Sequence, residues 1–208
     1  MKILNITKKD EKNVVVHLDN DEKLFLSYEV LMKNGLKKND EVSESRFSFL
    51  VNQNQLYHIK QRAARYLGRR LHSVNELRIK LRQKGYDSTL IDTVLADLVD
   101  KNYLNDYEFS SLLADENIKN KLWGKNKLKA ELIKKGIQSS VIDKIIAEKY
   151  PEGNDVENAL SLAEKKLKQL SYRNLEEKKL KEKIMSYLFS RGYDYQTVNN
   201  AVEEVLRR

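Results

Sequence analysis

Cysteine is absent from all 208 residues, which excludes disulfides and thiolate zinc sites and makes a reducing compartment the natural setting. Long apolar runs are missing as well, since no stretch approaches the roughly 20 residues that a spanning helix needs. Met1-Lys2-Ile3-Leu4-Asn5 leads straight into charged residues without the apolar core of a signal peptide. A cytoplasmic protein with no membrane role is therefore expected. Proline occurs once and glycine seven times, and the glycines are too dispersed to cradle a phosphate. His17, His58 and His72 share no metal-ligand spacing and read as surface or turn residues. Nor do the carboxylates cluster as a hydrolytic site requires. These absences point to a protein that is not an enzyme and carries no cofactor or metal.

What is present is a globular composition, 40% hydrophobic, with 39 Lys and Arg against 31 Asp and Glu and a formal charge of +8. That balance favours a polyanionic partner such as nucleic acid. Its layout along the chain says more than its total. Between Tyr57 and Tyr86 nine bases (Lys60, Arg62, Arg65, Arg69, Arg70, Arg78, Lys80, Arg82, Lys84) face one acid, Glu76. From Asp87 to Ile118 eight acids face a single base, Lys101, and Lys119 to Lys135 returns to seven lysines with only Glu131.

The first 55 residues read as a small α+β module. Val14 to Leu18 and Lys23 to Leu26 are short apolar runs around the turn-forming Asp19-Asn20-Asp21, a hairpin pattern, with Ile3 to Thr7 as a third strand. Ser27 is placed to cap a short helix that Gly35 ends.

Beyond Tyr57 the hydrophobic period becomes helical, and three segments superimpose on their glycines. Each carries an aliphatic pair spaced i, i+4 (Leu77 and Leu81, Leu128 and Leu132, Ile184 and Leu188), then a glycine (Gly85, Gly136, Gly192), then a further apolar helix. The pair packs one helix face and the glycine turns the chain into a returning helix. Leading helices are expected near Tyr57–Leu71, Asp106–Asn120 and Asp155–Leu170, and Ser73 with Glu76 forms a capping box. Tyr150-Pro151-Glu152-Gly153-Asn154 makes a joint. The fold is thus mainly α, an elongated array of three tandem three-helix repeats over residues 56–104, 105–150 and 151–208, preceded by the module of residues 1–55.

These elements offer a basic face for binding: Arg65, Arg69, Arg70, Arg78, Arg82 and Lys84 from the first repeat, and Lys125, Lys127, Lys134 and Lys135 from the second. Asp92 and Asp143 occupy equivalent repeat positions and read as structural, holding the loop after the glycine. Trp123 and the tyrosines fit packing better than base stacking.

Several consecutive motifs also resemble a known family. Ala64-Arg65-Tyr66-Leu67-Gly68-Arg69-Arg70 with Ser73, Glu76-Leu77, Lys80-Leu81 and Lys84-Gly85-Tyr86 resembles the opening signature of the RecX family, regulators of the RecA recombinase. Tyr103-Leu104-Asn105-Asp106-Tyr107-Glu108-Phe109 is similar to that family's link between first and second repeats. Trp123-Gly124, Leu128, Glu131-Leu132, Lys135-Gly136-Ile137 and Ile142 resemble its second repeat. Leu71 stands where many members carry proline, and the third copy follows the pattern more loosely. The resemblance implies a monomeric, non-enzymatic protein that lies in the groove of a RecA filament on single-stranded DNA. There it would modulate, mainly by inhibiting, recombinase, ATPase and coprotease activity, within DNA repair and the SOS response. Double-stranded DNA is a further expected partner. The alternative reading of the same basic repeats is a stand-alone, sequence-nonspecific DNA-binding protein.

Overall fold

A computed structural model describes residues 1–151, 154–173 and 175–207. Three strands open the chain, β1 (Ile3–Lys8), β2 (Asn13–Leu18) and β3 (Lys23–Ser27), followed by α1 (Tyr28–Lys33). The strands form an antiparallel sheet in the order β1-β2-β3. Strict alternation puts Val14, Val16 and Leu18 of β2 and Leu24 and Leu26 of β3 on one buried face with Ile3. Asp21 takes φ 63° in the β2–β3 turn. Ser27 Oγ accepts from the Val30 amide to cap α1, and Gly35 at φ 61° follows its end, as the sequence predicts.

Nine helices belong to the repeats among the described residues. They are α2 (Glu44–Leu67), α3 (Val74–Arg82) and α4 (Ser88–Asp100), then α5 (Asp106–Lys121), α6 (Lys125–Lys134) and α7 (Ser139–Lys149), then α8 (Asn154–Leu170), α9 (Glu177–Ser190) and α10 (Tyr195–Arg207). All six residues of the three i, i+4 pairs are fully buried at 0% exposure, so the repeat pattern reports the core directly. Removing each from water contributes about 1.5–3 kcal/mol. Pro151 follows α7 as the joint requires, while Glu152 and Gly153 lie outside the described residues.

The first leading helix departs from expectation. It begins at Glu44, capped by Ser43 Oγ on the Arg46 amide, and ends at Leu67, so residue 55 falls within it. Its first half buries Leu50 in the sheet core, and its second half buries Ile59 and Ala63 beyond that core. Asn54, between them, acts on the sheet edge: its amide donates to Phe25 O at 2.9 Å and its Oδ1 accepts from the Ser27 amide at 2.7 Å. A side chain here replaces the missing neighbouring strand of β3 and blunts its edge.

The chain divides into two compact units. One contains residues 1–72 and 77–104, hence the sheet, α1, α2, most of α3, and α4. The other contains residues 73–76 and 105–208, hence the start of α3 and both later repeats. The second and third repeats each have their own apolar core, built on Leu128, Leu132, Ile142 and Ile145 and on Ile184, Leu188, Val198 and Val202.

Within the second unit, successive repeats meet end to end through their middle helices. The Gly124 amide donates to Arg191 O at 2.8 Å and the Asn126 amide to Gly192 O at 3.1 Å, so the end of α9 satisfies amides that the start of α6 would leave unpaired. Ser73 Oγ likewise donates to Lys135 O at 2.8 Å, joining the end of α6 to the start of α3.

Candidate functional site

The ten basic residues proposed for binding fall into two groups once their partners are known. In the first unit Arg65 lies in the last turn of α2, Arg69 and Arg70 follow it, Arg82 ends α3, and Lys84 lies in the next turn; all five are exposed. Arg70 donates to Leu71 O at 2.7 Å. Arg78 is engaged, its Nε 2.9 Å from Asp92 Oδ1. That pair ties α3 to α4, which corrects the role expected of Asp92: it holds a helix pair, and Asp87, not Asp92, caps the helix after Gly85. Asp143, at the equivalent position, accepts from Ser139 Oγ at 3.3 Å.

Two lysines of the dense block, Lys60 and Lys80, are also committed. Lys60 Nζ lies 2.8 Å from Asp97 Oδ2, and Lys101 Nζ lies 2.7 Å from the other carboxylate oxygen. Hydrogen bonds from Lys101 and then Lys60 hold the Asp97 carboxyl down to about 2. The native pKa lies below the unfolded value near 3.9, so this carboxylate contributes stability above about pH 4 that is lost as pH falls towards 2. Thermal melts taken between pH 4 and pH 2 are expected to fall less steeply for Asp97→Asn than for the parent; parallel slopes would remove this cluster from the acid response. Lys80 donates to His72 Nε2 at 2.9 Å, and His72 Nδ1 meets Arg70 O at 2.9 Å. His72 is expected at a surface or in a turn; it lies in the connection between α2 and α3 and is buried.

In the second unit Lys135 is a packing residue. Its Nζ sits 2.6 Å from Glu76 and 3.8 Å from Glu131. The Glu76 amide donates to Ser73 Oγ at 3.0 Å, which is the Ser73 half of the capping box, and the Glu76 carboxylate accepts from Lys135. Lys125 faces Asp155 at 3.3 Å. Asp155 is buried, its other oxygen has no hydrogen-bond partner among the described residues, and burial pushes its carboxyl up despite Lys125. Lys127 donates to Ser190 O at 2.7 Å. Lys134 alone of these four is fully exposed. Of these ten, Arg65, Arg69, Arg82, Lys84 and Lys134 have no ion pair among the described residues, and these five are the ones of the ten available to a partner.

Cations of the third repeat also surround a ring, a feature the sequence reading missed. Lys166 Nζ and the Arg191 guanidinium stand 5.1 and 5.0 Å from the Tyr187 ring centre. The adjacent Lys165-Lys166 was the available signal, but Tyr187 and Arg191 lie more than twenty residues further along the chain. Trp123 is half-buried, with Lys121 and Lys127 at 5.2 and 5.3 Å from its ring centre. No group of three or more His, Cys, Asp or Glu side chains suited to a metal occurs among the described residues, and no helix is long and apolar enough to cross a membrane.

Residues 60–98, 105–145 and 154–202 match the models of the first, second and third three-helix domains of RecX. Over 203 residues the chain is 30% identical to the regulatory protein RecX of Clostridium botulinum (strain Alaska E43 / Type E3), covering 98% of this chain and 94% of that protein. It is 30% identical over 200 residues to the protein of the same name from Clostridium acetobutylicum, covering 95% and 92%. A crystal structure of a regulatory protein RecX superimposes with a TM-score of 0.76 at 21% identity, covering 100% and 99% of the two chains. RecX from Lactobacillus salivarius gives 0.66 at 22% identity, over 75% of this chain and 99% of that one. The two structures share the fold, and the matched repeats together with the near full-length similarity show that the chain belongs to the RecX family.

Proposed function

We propose that this protein is a cytoplasmic, monomeric regulator that docks in the groove of a RecA filament on single-stranded DNA. There it restrains strand exchange, ATP turnover and coprotease activity without catalysing a reaction itself. Its membership of the family whose curated relatives are named regulatory protein RecX supports the reading. The observation that carries it is the set of exposed cations without an ion pair among the described residues, Arg65, Arg69, Arg82, Lys84 and Lys134. Cations already paired within a protein have little left to offer phosphates or carboxylates, whereas these five are available. A filament repeats its surface, so many weak contacts of this kind add up.

The test is ATP hydrolysis by RecA filaments preassembled on single-stranded DNA from the same organism. The protein is titrated at substoichiometric levels beside a plain DNA-binding control. Inhibition is expected well before the protein binds free DNA. Inhibition only once the DNA is coated would replace this reading with that of a stand-alone, sequence-nonspecific DNA-binding protein.

A further inference from the structure

The second unit carries a surface that the exposed cations of the first do not explain. Two ring and cation clusters, separated by more than 60 residues in sequence, are pinned together. Arg191 Nη1 donates to Lys121 O at 3.2 Å, and Lys127 Nζ donates to Ser190 O at 2.7 Å. Trp123 with Lys121 and Lys127 is thereby placed beside Tyr187 with Arg191 and Lys166. From Tyr187 a shallow groove of about 450 Å³ continues past Lys165, Lys166, Gln169 and Arg191. A neighbouring one of about 380 Å³ is lined by Arg173, Lys183 and Ser186, with Glu182 as the one carboxylate of its lining. Lys165 and Lys183 are exposed and have no ion pair among the described residues.

We infer that this ledge, from Trp123 through Arg191 and Tyr187 to Lys165, Lys166 and Lys183, is a track for single-stranded nucleic acid. The chemistry decides among polyanions. A row of cations alone would suit any of them, a duplex or an acidic protein included. Rings interleaved with the cations add nothing towards a carboxylate. They add little towards a duplex, whose base faces are stacked on one another. They do offer a stacking platform to unpaired bases, while Lys165 and Lys183, exposed and without an ion pair among the described residues, hold the phosphates between them. The grooves are open, as a strand passing through requires and a small enclosed ligand does not.

This inference rests on the reading above that the protein works on a nucleoprotein, but its test uses naked oligonucleotide without RecA. Failure here therefore leaves the filament reading standing, and failure there leaves the track standing. Trp123 is the only tryptophan of the chain, so its emission reports on the ledge itself. An oligothymidylate of about 20 nucleotides is titrated at low salt and Trp123 fluorescence followed, with anisotropy of a labelled oligonucleotide as a second readout. Saturable quenching is expected. The triple variant Lys165→Glu, Lys166→Glu, Lys183→Glu should bind at least about tenfold more weakly, with a salt slope lower by about 2, since each phosphate contact on a single strand contributes about 0.7. Its circular dichroism should match the parent. Binding without quenching, undiminished binding by the triple variant, or equal quenching by a duplex of the same length would each overturn the assignment.

Discussion

Gly192→Ala is expected to cost about 4 kcal/mol and to lower the melting temperature by roughly 10 °C, whereas Gly85→Ala should cost only about 1–2 kcal/mol. Both glycines sit in the left-handed region, at φ 92° and 80°, where a Cβ meets the following carbonyl. That shared conformation sets the smaller cost. Their surroundings differ. A Cβ on Gly85 would meet nothing within 4 Å among the described residues, whereas one on Gly192 would collide with the backbone amide and Cβ of Lys127 at the start of α6. The opposing chain cannot retreat freely. The Asn126 amide is held by Gly192 O, the Gly124 amide by Arg191 O, and a Cβ on Gly124 would itself come within 2.6 Å of Gly192 O. Tyr193 adds a further tie from its hydroxyl to Leu122 O at 2.8 Å. Relief of the clash therefore means opening the contact between the second and third repeats. Urea or thermal unfolding of the two variants beside the parent provides the check. Equal losses would mean that the close approach of Gly192 to α6 contributes nothing.

The same contrast shows what could be read from the sequence. Local rules are written in neighbouring residues, so the three strands, the cap at Ser27, the buried i, i+4 pairs and the glycines that end the middle helices were all legible. The start of α2 was not. Its polar Asn52-Gln53-Asn54-Gln55 carries no apolar residue to mark a helix and includes two asparagines of low helix propensity, and the helix is carried through it by burial of Leu50 on one side and Ile59 on the other. Asn54 serves the sheet edge, a use that only the tertiary fold creates.

Charge was legible as density but not as pairing. A count of nine bases against one acid weights Arg78 and Arg69 equally, yet Arg78 finds Asp92 fourteen residues away while Arg69 has no ion pair among the described residues. Lys135 is spent on Glu76, 59 residues earlier, and Lys127 on a carbonyl 63 residues later. Partners at such separations follow from how the repeats stack, which no local count contains. Stacking also joins Trp123 to Arg191 and Tyr187, so the ledge has no signature in any one segment.

That sorting of cations sets the expected result for the candidate site. Reversing Arg65, Arg69 and Arg82 together to Glu should weaken binding to RecA filaments on single-stranded DNA about a hundredfold or more. If the partner atoms are phosphates, the salt slope should fall by about 2, three lost contacts at about 0.7 each. Reversal adds repulsion to each lost attraction, which is why the effect on affinity exceeds that of neutral substitutions. Helicity and melting temperature should stay near the parent's, because all three side chains are exposed and have no ion pair among the described residues. Arg78→Glu makes a poor probe by comparison. It would set a carboxylate beside Asp92, at a distance now bridged in 2.9 Å, and confound binding with stability. Lys135→Glu would do the same to Glu76. The triple variant is measured by filament co-sedimentation across a salt series. A hundredfold loss with an unchanged slope would assign these arginines to RecA carboxylates in place of DNA phosphates. Unchanged affinity would remove the first repeat's basic block from the interface altogether.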